Sequence, residues 1–325
     1  MRKPGPPRIN YLRLSITDRC NLRCFYCNYR QDWSKLPAGE VLNYEEFLRL
    51  ASLAAEMGIR KVRVTGGEPL VRRGVVDFLR RLHQVPGLEE ICLTTNGTRL
   101  PEMAGALYDA GLRRLNVSLD TLRRDRYRDI TGRDNLPEVA AGLGRAASLG
   151  FHPLKINCVA LRGVNEDELV DIALLARDHP YQVRFIELMP TASLEEWQRH
   201  FLPMEEVRRS LSVLGAPEPV ISKVTAGPAR IFRFPGFMGE LGFISPMSRH
   251  QCLTCNRLRL TAAGALRPCL LRDRELDLKG PLRRGEGDQR LSSLFNQAML
   301  MKAGGPAHPM EELPSLRRSM ASIGG

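Results

Sequence analysis

The sequence predicts an α/β protein, an incomplete (β/α)6 barrel of the TIM type followed by a smaller and less regular domain. Three observations carry this. Short β-rich runs alternate with amphipathic helical stretches as far as Met189, the runs themselves alternate polar with apolar residues, and near Leu211 the rhythm gives way to segments rich in Gly and Pro.

The β-rich runs are Leu12–Thr17, Lys61–Thr65, Glu90–Thr94, Arg114–Leu119, Leu154–Ala160 and Gln182–Met189. The helix after the first run opens with Asn43 and Glu46 at capping-box spacing and places Phe47, Leu50, Ala51 and Ala54 on one face. Regular βα alternation implies parallel strands joined by right-handed crossovers. Strands covered on both faces read as continuous apolar runs, and an ordinary barrel fills its lumen with Val, Ile and Leu. Here Leu12, Leu14 and Ile16 oppose Arg13, Ser15 and Thr17; Val62 and Val64 oppose Lys61, Arg63 and Thr65. Asn116 and Ser118, and Lys155 and Asn157, repeat the pattern. The expected interior is therefore open, wet and cationic, lined by Arg13, Lys61, Arg63 and Lys155. Domain limits are expected at residues 1–210 and 211–325. The run PLRRGEGDQR reads as a solvated charge cluster.

Composition narrows the function. A chain of 325 residues, 43% hydrophobic, buries a core without disulfide staples. The start MRKPGPPRIN has no apolar signal region, and no segment approaches the roughly 18 apolar residues of a membrane helix. The expectation is a cytoplasmic protein with no membrane partner, whose clustered cysteines bind metal or do redox work. The net charge of +12 suits either nucleic acid or a phosphorylated small molecule. With 6% aromatics and no helix-turn-helix, zinc-finger or RNP pattern, nucleic acid is not expected.

Two cysteine groups carry the chemistry. RCNLRCFYCNY places Cys20, Cys24 and Cys27 directly after the first strand, at the end of the barrel where such folds keep their active sites. Structural zinc takes four protein ligands, and neither a His nor a fourth Cys lies nearby. An iron-sulfur cubane on three thiolates leaves one iron open. The second group is Cys252, Cys255 and Cys269, either a second cluster or a zinc site completed by His250. Cys92 and Cys158 fall in apolar strand sequence and read as core.

These residues carry a resemblance. The CxxxCxxC loop, with Tyr26 before its last cysteine, and TGGEP at Thr65–Pro69 after the second strand resemble the radical S-adenosylmethionine (SAM) superfamily. GFISP at Gly242–Pro246, CNRLRLTAAGALRPC ending at Cys269, and the terminal IGG are similar to the GTP 3′,8-cyclases (the MoaA family) of molybdenum cofactor biosynthesis. The resemblance implies a radical SAM partial barrel and two [4Fe-4S] clusters, one on Cys20, Cys24 and Cys27 and one on Cys252, Cys255 and Cys269. It implies SAM contacts at Tyr26, Gly67, Ser118 and Met189. GTP contacts would fall at Arg13, Arg63, Thr94, Lys155, Arg257, Leu258 and Arg259, and catalytic roles at Arg184 and the tail Gly324 and Gly325. The implied lyase reaction uses a 5′-deoxyadenosyl radical to remove the ribose C3′ hydrogen, after which C3′ joins guanine C8. A reducing electron donor, a homodimer and a downstream cyclic pyranopterin monophosphate synthase are the implied partners. Two alternatives compete: a zinc- and nucleic-acid-binding protein, and a peptide-modifying radical SAM enzyme with auxiliary clusters.

Overall fold

The computed structural model describes residues 9–27, 35–190, 194–220, 227–249, 254–271, 274–303 and 320. Strands and helices alternate through the first part: β1 (Tyr11–Ser15), α1 (Tyr44–Glu56), β2 (Lys61–Thr65), α2 (Val75–Leu82), β3 (Glu90–Thr95), α3 (Leu100–Asp109), β4 (Arg114–Ser118), α4 (Arg124–Thr131), α5 (Leu136–Ser148), β5 (Leu154–Ala160), α6 (Leu169–Asp178) and β6 (Gln182–Glu187). All six expected strands are present, with ends shifted by at most two residues. The second part is more irregular: α7 (Leu194–His200), α8 (Met204–Ser210), β7 (Glu218–Pro219), β8 (Arg230–Arg233), β9 (Glu240–Ile244), β10 (Arg257–Leu260), β11 (Ala265–Arg267), β12 (Leu276–Asp277), α9 (Lys279–Arg283) and α10 (Asp288–Ala303).

Two compact units result, and neither is continuous in sequence. One comprises residues 1–21, 32–92 and 251–325; the other comprises 22–31 and 93–250. In the first unit the strand order is β12-β11-β10-β1-β2. β1 is parallel to both β10 and β2, while β11 and β12 add antiparallel. In the second unit the order is β4-β5-β6-β9-β8-β7, parallel through β9 and antiparallel beyond.

Local sequence explains the elements that frame the site. α1 starts where Asn43 Oδ1 accepts the Glu46 N–H at 2.8 Å and Glu46 Oε2 accepts the Asn43 N–H at 2.7 Å, the expected reciprocal cap. Its apolar stripe of Phe47, Leu50, Ala51 and Ala54 is fully buried. The strand periodicity holds as well, with Leu12, Leu14, Val62, Val64, Leu115, Val117, Leu154 and Ile156 all in the core. Cys92 and Cys158 are buried as expected.

One expectation needs correcting. PLRRGEGDQR is not merely solvated. Arg283 bonds Glu46 at 2.8 Å and the Gly39 carbonyl at 2.5 Å, while Arg49 bonds Asp288 at 2.6 Å. The charge cluster ties α9 and the start of α10 to α1, a long-range contact that a charge pattern alone does not encode.

Candidate active site

In the first unit, chain register gathers the cations. Arg13 on β1 is the partner of Arg259 on β10 and of Arg63 on β2, so three guanidinium groups stand in one row across three parallel strands. In the next row Tyr11 lies between Arg257 and Lys61. Antiparallel β11 adds Arg267 opposite Arg259. Arg267 pairs with Glu275 at 3.0 Å, and Lys61 pairs with Glu90 at 2.6 Å while its ammonium sits 5.0 Å from the Tyr11 ring centre. Alternation correctly put Arg13, Lys61 and Arg63 on one face. The interior is less open than expected, however, because Lys61, Arg63 and Arg259 are all over nine-tenths buried.

Crowding of like charge follows. Burial, and after it Arg259, Arg63 and Arg257, press the Arg13 guanidinium well below its ordinary value. Burial and Arg257 bring Arg259 down to about 10. A row of enclosed guanidinium groups is a prearranged receptor for a polyanion, since each fork matches a phosphate edge. Leu258 differs: it pairs with Leu12, and the whole residue is buried.

Two thiols flank this row. Cys255 lies two residues before β10, and Cys269 follows β11; both are half-buried and free of disulfide. Burial opposes a thiolate at Cys255, but Arg257 and Lys302 outweigh it and lower the pKa to about 6. Cys252 and His250, and the tail Gly324 and Gly325, lie outside the described residues.

The Gly66–Gly67 turn shows why glycine is required after β2. Gly67 N–H donates to the Thr17 carbonyl at 2.7 Å and Glu68 N–H to that of Arg19 at 2.8 Å, drawing the turn against the chain just before Cys20. A Cβ on Gly67 would stand 2.4 Å from the Arg19 oxygen, and one on Gly66 would stand 2.5 Å from the Thr17 oxygen. Gly67→Val should lower stability by about 1–3 kcal/mol through forced displacement of backbone. Denaturant unfolding checks the effect.

The second unit holds a pocket with an empty volume of about 310 Å³, partly open to solvent. Cys24, Tyr26, Asn96, Ser118 and Asp120 line it, with Leu22 and Ile130 as an apolar part. The segment after Cys20 is fastened to the end of α4, with Arg23 N–H donating to the Thr131 carbonyl at 2.7 Å and Phe25 N–H to that of Ile130 at 3.1 Å. Tyr26 Oη donates to Asp120 Oδ2. Burial raises the Asp120 carboxyl to about 6, against the lowering effect of its Tyr26 and Val159 hydrogen bonds.

Other expected residues take their places along the strands. Ser118, Asn157, Arg184 and Gly242 form one row across β4, β5, β6 and β9. Gly242 leaves room for Arg184, since a Cβ there would lie 3.0 Å from Arg184 Cγ. Arg184 Nε donates to Gln182 at 2.8 Å. Lys155 pairs with Asn116 and Gln182 in the adjacent row and is 8% exposed. Thr94 lies on β3, and Met189 is half-buried just beyond β6.

Sequence reasoning missed two acids. Glu187, fully buried at the end of β6, accepts the N–H groups of Met204 at 2.9 Å, Met247 at 2.9 Å and Ser248 at 3.0 Å. It holds the chain beyond GFISP. Asp120 was discoverable as a carboxylate just after a strand end, two residues beyond Ser118; Glu187 had no local signal.

The thiol sets fit iron-sulfur chemistry: three cysteines after β1, each half-buried and none in a disulfide. Among the described residues no three His, Cys, Asp or Glu side chains are gathered tightly enough to hold a single metal ion. A cubane requires less crowding, because each thiolate takes a different iron.

Known families match most of the chain. The family described as the radical SAM superfamily matches residues 14–176, and the one described as Molybdenum Cofactor Synthesis C matches residues 181–306. SuiB of Streptococcus suis bound to S-adenosylmethionine has a similar fold, with a TM-score of 0.57, 13% identity, and coverage of 88% of this chain and 67% of that one. Fold and site together define a radical SAM enzyme. The GTP 3′,8-cyclase of Pelotomaculum thermopropionicum is 48% identical over 319 residues, and that of Moorella thermoacetica is 49% identical over 319, each covering 98% of both chains. This chain belongs to the GTP 3′,8-cyclase family.

Proposed function

We propose that the chain converts GTP to 3′,8-cyclo-7,8-dihydro-GTP, the first step of molybdenum cofactor biosynthesis. The observation that carries this reading is the row Arg259–Arg13–Arg63, set in register between Cys255 and the Gly-Gly turn of the same unit. Relatives named GTP 3′,8-cyclase that share nearly half of this chain's residues support it.

Arg13, Arg63, Arg257 and Arg259 bind the triphosphate, with the charge-assisted bonds of the buried Arg63 and Arg259 strengthened by their enclosure. Thr94, Lys155 and Leu258 are further GTP contacts carried over from the family, and Arg184, Gly324 and Gly325 are catalytic residues on the same footing. Tyr26, Gly67, Ser118 and Met189 hold SAM, and Cys20, Cys24 and Cys27 hold the cluster that binds it. That cluster, when bound, supplies the electron that cleaves SAM and makes removal of the ribose C3′ hydrogen possible. The second cluster belongs on Cys252, Cys255 and Cys269, where the lowered Cys255 pKa favours a thiolate ligand. Ring closure joins C3′ to C8; one electron and one proton then complete the product, so an external one-electron donor is required. Among the described residues no helix is long and apolar enough to cross a membrane.

Anaerobic incubation of reconstituted protein with SAM, GTP and a chemical reductant tests the reading. GTP-dependent release of 5′-deoxyadenosine, with a cyclised nucleotide of unchanged mass number as GTP, is expected. SAM cleavage indifferent to GTP would redirect the function to a peptide-modifying enzyme of the same fold.

A further inference from the structure

Tyr26 stands between two cluster-ligand cysteines, and its hydroxyl reaches 94 residues along the chain to Asp120. The carboxylate there is held from its other side. Asp120 Oδ1 accepts the Val159 N–H of β5 at 2.8 Å, and its carbonyl accepts from Asn165 Nδ2 at 2.7 Å. Asn165, fully buried, also accepts the Leu161 N–H at 2.8 Å. The next residue, Thr121, is fastened in turn, its hydroxyl donating to the buried Glu168 at 2.6 Å.

We propose that Asp120 is a positioning residue for SAM: it fixes the phenol of Tyr26 against the strand ends and so sets the wall of the pocket that Tyr26, Ser118 and Cys24 share. The backbone of the ligand segment is anchored elsewhere, at Thr131 and Ile130. Asp120 therefore has a narrower task than holding the segment in place. A carboxylate enclosed to this degree is costly unless both oxygens are used, and here one oxygen is spent on β5 while the other is spent on the side chain beside the cofactor. Asparagine at this position has a single acceptor and cannot serve both donors. The inference rests on the reading of this pocket as the SAM site.

The test uses full-length protein with its clusters reconstituted, comparing Asp120→Asn, Tyr26→Phe, the double variant and Ser118→Ala. Iron content, equilibrium SAM binding and the electron paramagnetic resonance of the reduced cluster with and without SAM are measured for each. Asp120→Asn and Tyr26→Phe should each weaken SAM binding by about tenfold or more at unchanged iron content. The double variant should be no weaker than the worse single one, because both remove the same bond. If Asp120→Asn binds SAM as the parent does while Ser118→Ala is weakened, Asp120 has no positioning role. If both bind normally, the pocket is not the SAM site and the reading beneath the inference fails. Loss of iron in parallel with SAM binding would make Asp120 a support of the cluster loop as a whole and overturn the narrower role, as would additive effects in the double variant.

Discussion

Cys24→Ala should give a folded protein that releases no 5′-deoxyadenosine from SAM. Cys24 lies between Arg23 and Phe25, whose N–H groups are bonded to the carbonyls of Thr131 and Ile130, so removing the thiol deletes a ligand and leaves the backbone fastened. A cubane held by two protein thiolates is not retained, and iron should fall by about four per chain, the content of one cluster. Iron and sulfide analysis after anaerobic reconstitution, with chromatography of the SAM reaction, reads both effects. An active variant would show that the chemistry does not start from the cysteines after β1.

Arg259→Ala should raise the dissociation constant for GTP by roughly ten- to a hundredfold, the usual range for a charge-assisted bond lost from an enclosed site. Iron content should not change, because no thiolate is removed. The nucleotide-free protein should tolerate the loss well: Arg259 is the largest charge pressing on Arg13, and its removal relieves that repulsion. The pH dependence has a definite sign. With its pKa near 10, Arg259 is cationic at neutral pH, and the affinity it contributes fades as pH rises through about 10. Raising the salt concentration should weaken binding in the parent more than in the variant. Calorimetric titration with a non-reacting GTP analogue, across pH and salt, checks each point. Unchanged affinity would place the triphosphate elsewhere than on this row.

Much of the site was legible because its signals are local. Period-two alternation placed Arg13, Lys61 and Arg63 on one face before any pairing was known, and the structure keeps them there. Asn43 and Glu46 announced the start of α1 through a cap three residues wide. The glycines after β2 signalled close backbone approach, and the Arg19 oxygen is what approaches. Other features gave no such signal. Asp120 meets Tyr26 across 94 residues, and Arg283 reaches Glu46 across 237. In both cases a side chain of ordinary appearance gains its role from a partner that no spacing rule connects to it.

Sequence alone determined the strand faces, the family and hence the reaction, because side-chain alternation and motif order are written within a few residues of each other. Only the tertiary structure decided that β10 lies parallel to β1 in a register that pairs Arg259 with Arg13 and Arg257 with Tyr11. It also decided that Leu258 is buried in the core, that burial shifts the ionisation of Arg13 and Asp120, and that Arg257 and Lys302 bring Cys255 down. Register between strands more than 240 residues apart is fixed by packing of the whole unit, and desolvation by everything that surrounds a group; neither is a property of a short stretch of chain.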